Sequence, residues 1–176
     1  MTTRGKPRGI IPKEIKDRFE RSDLVKSFSE FNRNFIYYWL PVIIWMGVIF
    51  GMSTGMFASD HTSRFIVPLL NFLFPRLSPE EIDLIHGLIR RAGHVAEYFI
   101  LGILLFRAFR SDSLYPWRPR WTLYSIIAVV AYAMSDEFHQ SFVNTRTASL
   151  VDVSIDSAGG VLSQIAVMFR HLLRRK

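Results

Sequence analysis

Apolar residues in this chain gather into blocks set apart by short polar stretches. Four blocks are long, covering about residues 35–56, 92–109, 121–140 and 150–173. A helix needs about 20 mostly apolar residues to cross the roughly 30 Å hydrocarbon core of a bilayer. The pattern therefore predicts four transmembrane helices. Ahead of them, within residues 12–34, Ile15, Phe19, Leu24, Phe28 and Phe31 fall near one helical face among Lys, Arg, Glu and Asp. That spacing predicts an amphipathic helix, lying on a membrane surface or packed on the core.

Between the first two spans the pattern is mixed. The apolar piece at 65–74 is interrupted by Pro68 and is too short to cross, so it reads as a re-entrant or surface-lying segment. Residues 78–81 then open a helix clearly, with Ser78 as N-cap, Pro79 at the first helical position and Glu81 placed to close a capping box. Ile82, Ile85, Leu88 and Ile89 give that helix an apolar stripe leading into the second span, with a break expected near Gly93. The predicted fold is an all-α integral membrane protein. It is a four-transmembrane-helix bundle with an N-terminal amphipathic helix and an extra helix on the outer face. Residues 1–34 form a basic, partly amphipathic cytoplasmic segment, and residues 35–173 form the four-helix membrane domain. The basic region is too long for a signal peptide's leading segment, so the first span is expected to be a retained anchor.

Charge orients these spans. The formal net charge is +7, but the basic residues sit beside apolar runs and form no groove-reading motif, so no nucleic-acid partner is implied. Anionic lipid accounts for the same charge. Lys and Arg concentrate before residue 35, in the 107–120 link and at the C-terminus, whereas the 57–93 connection balances its arginines with acids. Basic residues are retained on the cytoplasmic side, which predicts a multi-pass plasma (inner) membrane protein with both termini cytoplasmic. The chain holds no Cys, which excludes disulfides and thiolate metal sites.

The same orientation brings three polar helix ends together on the outer side. Residues 135–160 read SDEFHQSFVNTRTASLVDVSIDSAGG and lie between two spans. Spacings of three and four place His94, Glu97 and Tyr98 on one helix face, Asp136, His139 and Gln140 on another, and Asp152, Asp156 and Ser163 on a third. Ionisable groups at membrane depth cost about 2.5–3.5 kcal/mol each on insertion scales, so they need partners or a function. The residues expected to line an outward-opening polar pocket are Arg91, His94, Glu97, Tyr98, Asp136, Glu137, His139, Gln140, Arg146, Asp152 and Asp156. Glu137 is the acid expected to sit in solvent. Asp152 and Asp156 repel at four-residue spacing if both ionise, and Arg146, in the intervening link, is the nearest cation in sequence. The bland alternative is a buried polar network that fixes helix register.

Four pieces of this chain resemble the VanZ-like membrane proteins, whose relatives include an accessory protein associated with low-level teicoplanin resistance. The pieces are IRRAGHVAEY at 89–98, SDEFHQSF at 135–142, Arg146, and DVSIDSAGG at 152–160. The family usually carries Lys where Arg91 stands and Gly where Thr145 stands. The resemblance implies recognition of an envelope lipid, a cell-wall precursor or a lipoglycopeptide, with Arg91 and Arg146 engaging anionic groups and the acids orienting them. Two other classes compete with it. An intramembrane hydrolase or transferase on a lipid-linked substrate would use His94 or His139 as acid–base, with carboxylates tuning it or holding a metal. An ion-coupled transporter would use the outward acids, but the polar residues cluster toward one end of the spans. His94-x-x-Glu97 and Asp136-x-x-His139 each put nitrogen and oxygen donors on one face, as metal sites in helix bundles do. No phosphate loop, nucleophile elbow or zincin motif is present, and the sequence leaves cofactor and metal unknown.

Overall fold

The computed structural model describes residue 30 and residues 32–53, 59–141 and 149–174, the side chains of 59–62 excepted. These residues form five helices: α1, Asn32–Ser53, which includes a π turn at Phe35–Trp39; α2, Ser59–Leu73; α3, Pro79–Arg110; α4, Pro119–Gln140; and α5, Leu150–Leu173. The fold is all-helical, with no strand among the described residues. The amphipathic helix expected over 12–34 falls almost wholly outside them, as do Arg146 and the rest of the 142–148 link.

Three helices, α1, α3 and α5, are long and apolar enough to cross a membrane. Their apolar surface faces outward. On α1 the buried positions are Val42, Ile49 and Ser53, while Ile43, Ile44, Val48 and Phe50 stay exposed. In water so much contiguous apolar surface marks an interaction site or an aggregation hazard; against lipid tails it is the required exterior. α4 has the same 22 residues as α1, but it opens on PRW and closes on SDEFHQ. Its apolar centre is correspondingly short, and it is not among the three candidate spans.

α3 is the axis of the bundle and touches each of the other four helices. Its start is the expected capping box: the Glu81 N–H donates to Ser78 Oγ at 3.3 Å, and the Ser78 N–H donates to Glu81 Oε2 at 2.8 Å. The helix then runs 32 residues, about 48 Å. The expected break near Gly93 does not occur. Glycine permits a kink without imposing one, and the backbone at Gly93 has open space around it. α2 likewise carries Pro68 inside one continuous helix, losing a backbone hydrogen bond there. Phe65, Leu69, Phe72 and Leu73 are exposed on it.

α3 and α5 run in the same direction and make the most extensive contact of the bundle. Small residues allow it. A Cβ on Gly159 would strike the carbonyl oxygen of Val95 on α3, and a Cβ on Gly102 would strike Ser163 on α5. Close backbone approach through small residues is how helices pack where lipid removes the hydrophobic drive between them. α1 and α4 run the opposite way. The core between the four is Val42 and Ile49 of α1, Tyr98, Leu101 and Leu105 of α3, and Val129 and Ala133 of α4. α1 is also tied to α3 by polar bonds. Trp45 Nε1 donates to the Glu97 carbonyl at 2.9 Å. Pro41 has no N–H for the carbonyl of Tyr37, and the Arg107 guanidinium donates to that oxygen at 3.4 Å while stacking over the Tyr37 ring.

Candidate functional site

The end of α1, the middle of α3, the end of α4 and the start of α5 meet at one level of the bundle, and the buried acids lie there. Asp136 and Asp156 are each only 2% exposed, although they come from different helices. The close approach of Gly159 to Val95 explains how Asp156, one turn earlier on α5, comes against α3. Its Oδ1 lies 3.5 Å from His94 Nδ1. That distance is past good hydrogen-bond geometry, so the contact is electrostatic. The imidazole is partly exposed and the carboxyl sits behind it.

Asp136 is held on the other side. Ser53 Oγ donates to its Oδ2 at 2.6 Å, and Gln140 Nε2 donates to the same oxygen at 3.0 Å. The Ser53 bond joins α1 to α4, and the Gln140 bond follows the four-residue helical spacing. Tyr132, one turn before Asp136, donates to the Met46 carbonyl at 2.6 Å, so α4 is bonded to α1 twice. Glu97, Asp136 and Asp156 all lie within electrostatic reach of the Tyr98 hydroxyl, and Glu97, Asp136, Glu137 and Asp152 all lie within reach of Asp156.

Asp136 Oδ1, Asp156 Oδ1 and the Tyr98 hydroxyl are buried at the centre of this cluster without a hydrogen-bond partner among the described residues. Leaving such an atom unsatisfied costs about 1–3 kcal/mol. Two acceptors and one hydroxyl in the same neighbourhood match a ligand that presents hydrogen-bond donors and can also accept one. The remaining expected residues take other places. Glu137 is not in solvent: it is 5% exposed, and its Oε2 accepts the Ser149 N–H at 2.9 Å. It thereby secures the start of α5, where orphan backbone N–H groups and the positive end of the helix dipole favour a carboxylate. Asp152 is half-buried in the first turn of α5, its N–H held by the N-cap Ser149 at 3.4 Å. His139 packs against Phe50, ring centroids 4.5 Å apart, with Nδ1 buried and unpartnered among the described residues. Arg91 is exposed, with no carboxylate within ion-pair distance among the described residues. Arg146 lies outside them.

Deeper toward the bundle centre, Ser163, expected on the face of Asp152 and Asp156, is joined by Gln164, which was not expected. Gln164 Nε2 donates to the Gly102 carbonyl at 2.9 Å and to Ser163 Oγ at 3.0 Å, and Ser163 Oγ donates to the Gly160 carbonyl at 2.6 Å. Ser163 lies seven residues beyond Asp156 and continues its helix face, which was the available signal. Gln164 had none. Among the described residues no three His, Asp or Glu side chains converge closely enough to hold a metal ion.

An all-helical bundle with lipid-type exteriors and a polar cluster buried between its helices defines a membrane protein. The family model described as VanZ/LLP1 matches residues 38–171, from the first span through the last helix. The chain belongs to the VanZ/LLP1 family. No curated protein and no solved structure matches it.

Proposed function

We propose that this chain is a four-pass, VanZ-type membrane protein with both termini cytoplasmic. Its polar pocket opens at the outer leaflet and recognises an envelope lipid, a lipid-linked cell-wall precursor or a lipoglycopeptide. In a resistant cell this recognition contributes to glycopeptide (teicoplanin) resistance. One observation carries the proposal. Asp136 and Asp156, from separate helices, are both 2% exposed, and each keeps a carboxyl oxygen without a hydrogen-bond partner, beside a Tyr98 hydroxyl in the same condition. Hydroxyl, amide and ammonium donors of sugars, peptide stems and aminated headgroups suit that set. α4 completes the four-pass count: Leu123, Ile127, Met134 and Phe138 give it an exposed apolar face suited to lipid, with its polar end at the pocket. The arginine-rich ends of α3 and α5 then face the cytoplasm, in line with the retention of basic residues there.

The test is expression of the wild type, Asp136→Asn and Asp156→Asn in a glycopeptide-susceptible host, with immunoblots matching membrane levels. The wild type should lower susceptibility to teicoplanin-type lipoglycopeptides, and both variants should lose the effect at equal abundance. Unchanged susceptibility in the wild type, together with unchanged lipid and precursor profiles, refutes the proposal. A second reading rests on the His94–Asp156 contact: an imidazole backed by a buried carboxyl is an acid–base arrangement, suited to a hydrolase or transferase acting on a lipid-linked substrate. That reading requires a changed lipid or precursor species in wild-type cells that disappears in both His94→Gln and Asp156→Asn.

A further inference from the structure

The opposite end of the bundle carries a second feature, made from the last turns of α3 and α5 and the link that follows α3. A groove of about 290 Å³ opens there between Arg107, Arg110, Arg170 and Arg174, with Ile103, Phe106 and Val167 forming its wall toward the bundle centre. No acid lines it. The nearest acid in sequence, Asp112, accepts the Tyr38 hydroxyl at 2.7 Å. None of the four arginines has a carboxylate within ion-pair distance among the described residues. Arg107 is already engaged with Tyr37; among the described residues Arg110, Arg170 and Arg174 are not so held, and the Arg110 Nε is buried without a partner. On the rim, the His171 ring stacks on Trp117 at 5.9 Å, which fixes one side of the opening.

Basic residues near helix C-termini have an ordinary use, which is to offset the negative end of the helix dipole. That use is too small here. Two C-termini supply about one negative charge together, against four guanidinium groups, so most of the positive charge is left to an external anion. Planar guanidinium forks match phosphate oxygens in pairs. The wall below them is apolar and partly exposed, Ile103 being 39% exposed. A free phosphate would use the arginines and ignore that wall. A glycerophospholipid uses both, with its phosphate among the guanidiniums and an acyl chain along Ile103 and Val167.

We propose that this groove is a binding site for an anionic phospholipid, seated by Arg110, Arg170 and Arg174 between the last turns of α3 and α5. The site is separate from the polar pocket and does not depend on what the pocket binds. Purified full-length chain in a neutral maltoside detergent is titrated with phosphatidylglycerol and, separately, phosphatidylcholine, and lipid adducts are counted by native mass spectrometry. Phosphatidylglycerol should bind more tightly. Arg110→Gln with Arg174→Gln should weaken it about 30-fold, from about fivefold for each arginine near an anionic surface, and leave phosphatidylcholine unaffected. Arg110→Lys with Arg174→Lys should keep most of the binding, which separates lost charge from lost fold. Arg64→Gln with Arg76→Gln removes the same net charge outside the groove and should leave phosphatidylglycerol binding unchanged. Equal loss in the two Gln pairs, or none in the Arg110/Arg174 pair, overturns the site. Displacement of the lipid by glycerol 3-phosphate or inorganic phosphate at equal concentration makes the groove a soluble-phosphate site and overturns its assignment to lipid.

Discussion

Replacing Gly159 with Ala tests the packing on which the polar cluster depends. A Cβ built on Gly159 meets three backbone atoms of α3: the Val95 carbonyl oxygen, the Val95 carbonyl carbon at 3.1 Å and the Phe99 nitrogen at 3.2 Å. The first contact is well inside 3.0 Å, the approach that real Cβ atoms essentially never make. Backbone atoms have no rotamer to escape into, so α5 must move off α3 by on the order of 0.5–1 Å. Overpacking of this kind costs about 1–3 kcal/mol, and the helix propensity gained by Ala offsets at most about 1 kcal/mol. The net expectation is a loss of about 1–2 kcal/mol. Gly160→Ala meets the branched Val129 side chain as far as its Cβ at 3.0 Å, and Gly102→Ala meets the hydrogen-bonded Ser163 hydroxyl; both sites are tight, so both should also lower the midpoint. Gly93→Ala, with open space around it, should be neutral or stabilising. The assay is the thermal unfolding midpoint in detergent, read by fluorescence or by loss of the monomer peak on size exclusion. Gly159→Ala as stable as Gly93→Ala would refute the argument that backbone contact at this point sets the α3–α5 distance.

Buried Tyr98 and half-buried Tyr132 should separate in the same assay. Tyr132→Phe deletes a 2.6 Å bond to the Met46 carbonyl and should lose about 1 kcal/mol, whereas Tyr98→Phe removes a hydroxyl with no described partner and should be neutral or stabilising by about 1 kcal/mol. If the pocket binds a ligand, Tyr98→Phe should still weaken ligand-dependent activity, and equal behaviour of both variants in both assays refutes the distinction. Ser53→Ala strips Asp136 of a 2.6 Å donor and should cost about 1–3 kcal/mol, visible as a lower midpoint; no change would show that Gln140 alone orients the carboxyl. Ser78→Ala breaks the capping box and should cost about 0.5–2 kcal/mol, seen as faster amide exchange confined to the first turn of α3.

Much of the fold was legible because lipid imposes a simple pattern on sequence. Long apolar runs locate α1, α3 and α5, and the SPEE run places the start of α3 to the residue. The clustering of Tyr98, Asp136 and Asp156 followed from helix spacing plus orientation, since polar residues toward matching ends of antiparallel helices must meet. Details that depend on approach distance were not legible. Nothing in the sequence says that Ser53 reaches Asp136, or that Gln164 turns toward Gly102. Glu137 looked like a solvated acid because its backbone partner, the Ser149 N–H, lies twelve residues away across a link whose path the sequence does not specify. The continuity of α3 was missed for a different reason. A glycine flanked by polar residues resembles a break, and only the packing on both sides decides whether the helix bends.

The absence of a break in α3 has a mechanical meaning. His94 and Arg107 stand on one rod, thirteen residues and about 20 Å apart. A jointed helix would absorb a disturbance at the joint, but this one can only tilt. A tilt of about 3° pivoting near Arg107 would carry His94 sideways by about 1 Å, comparable with the shift that would pull its imidazole off Asp156. A displacement at one end of α3 is therefore carried along the helix to the other end.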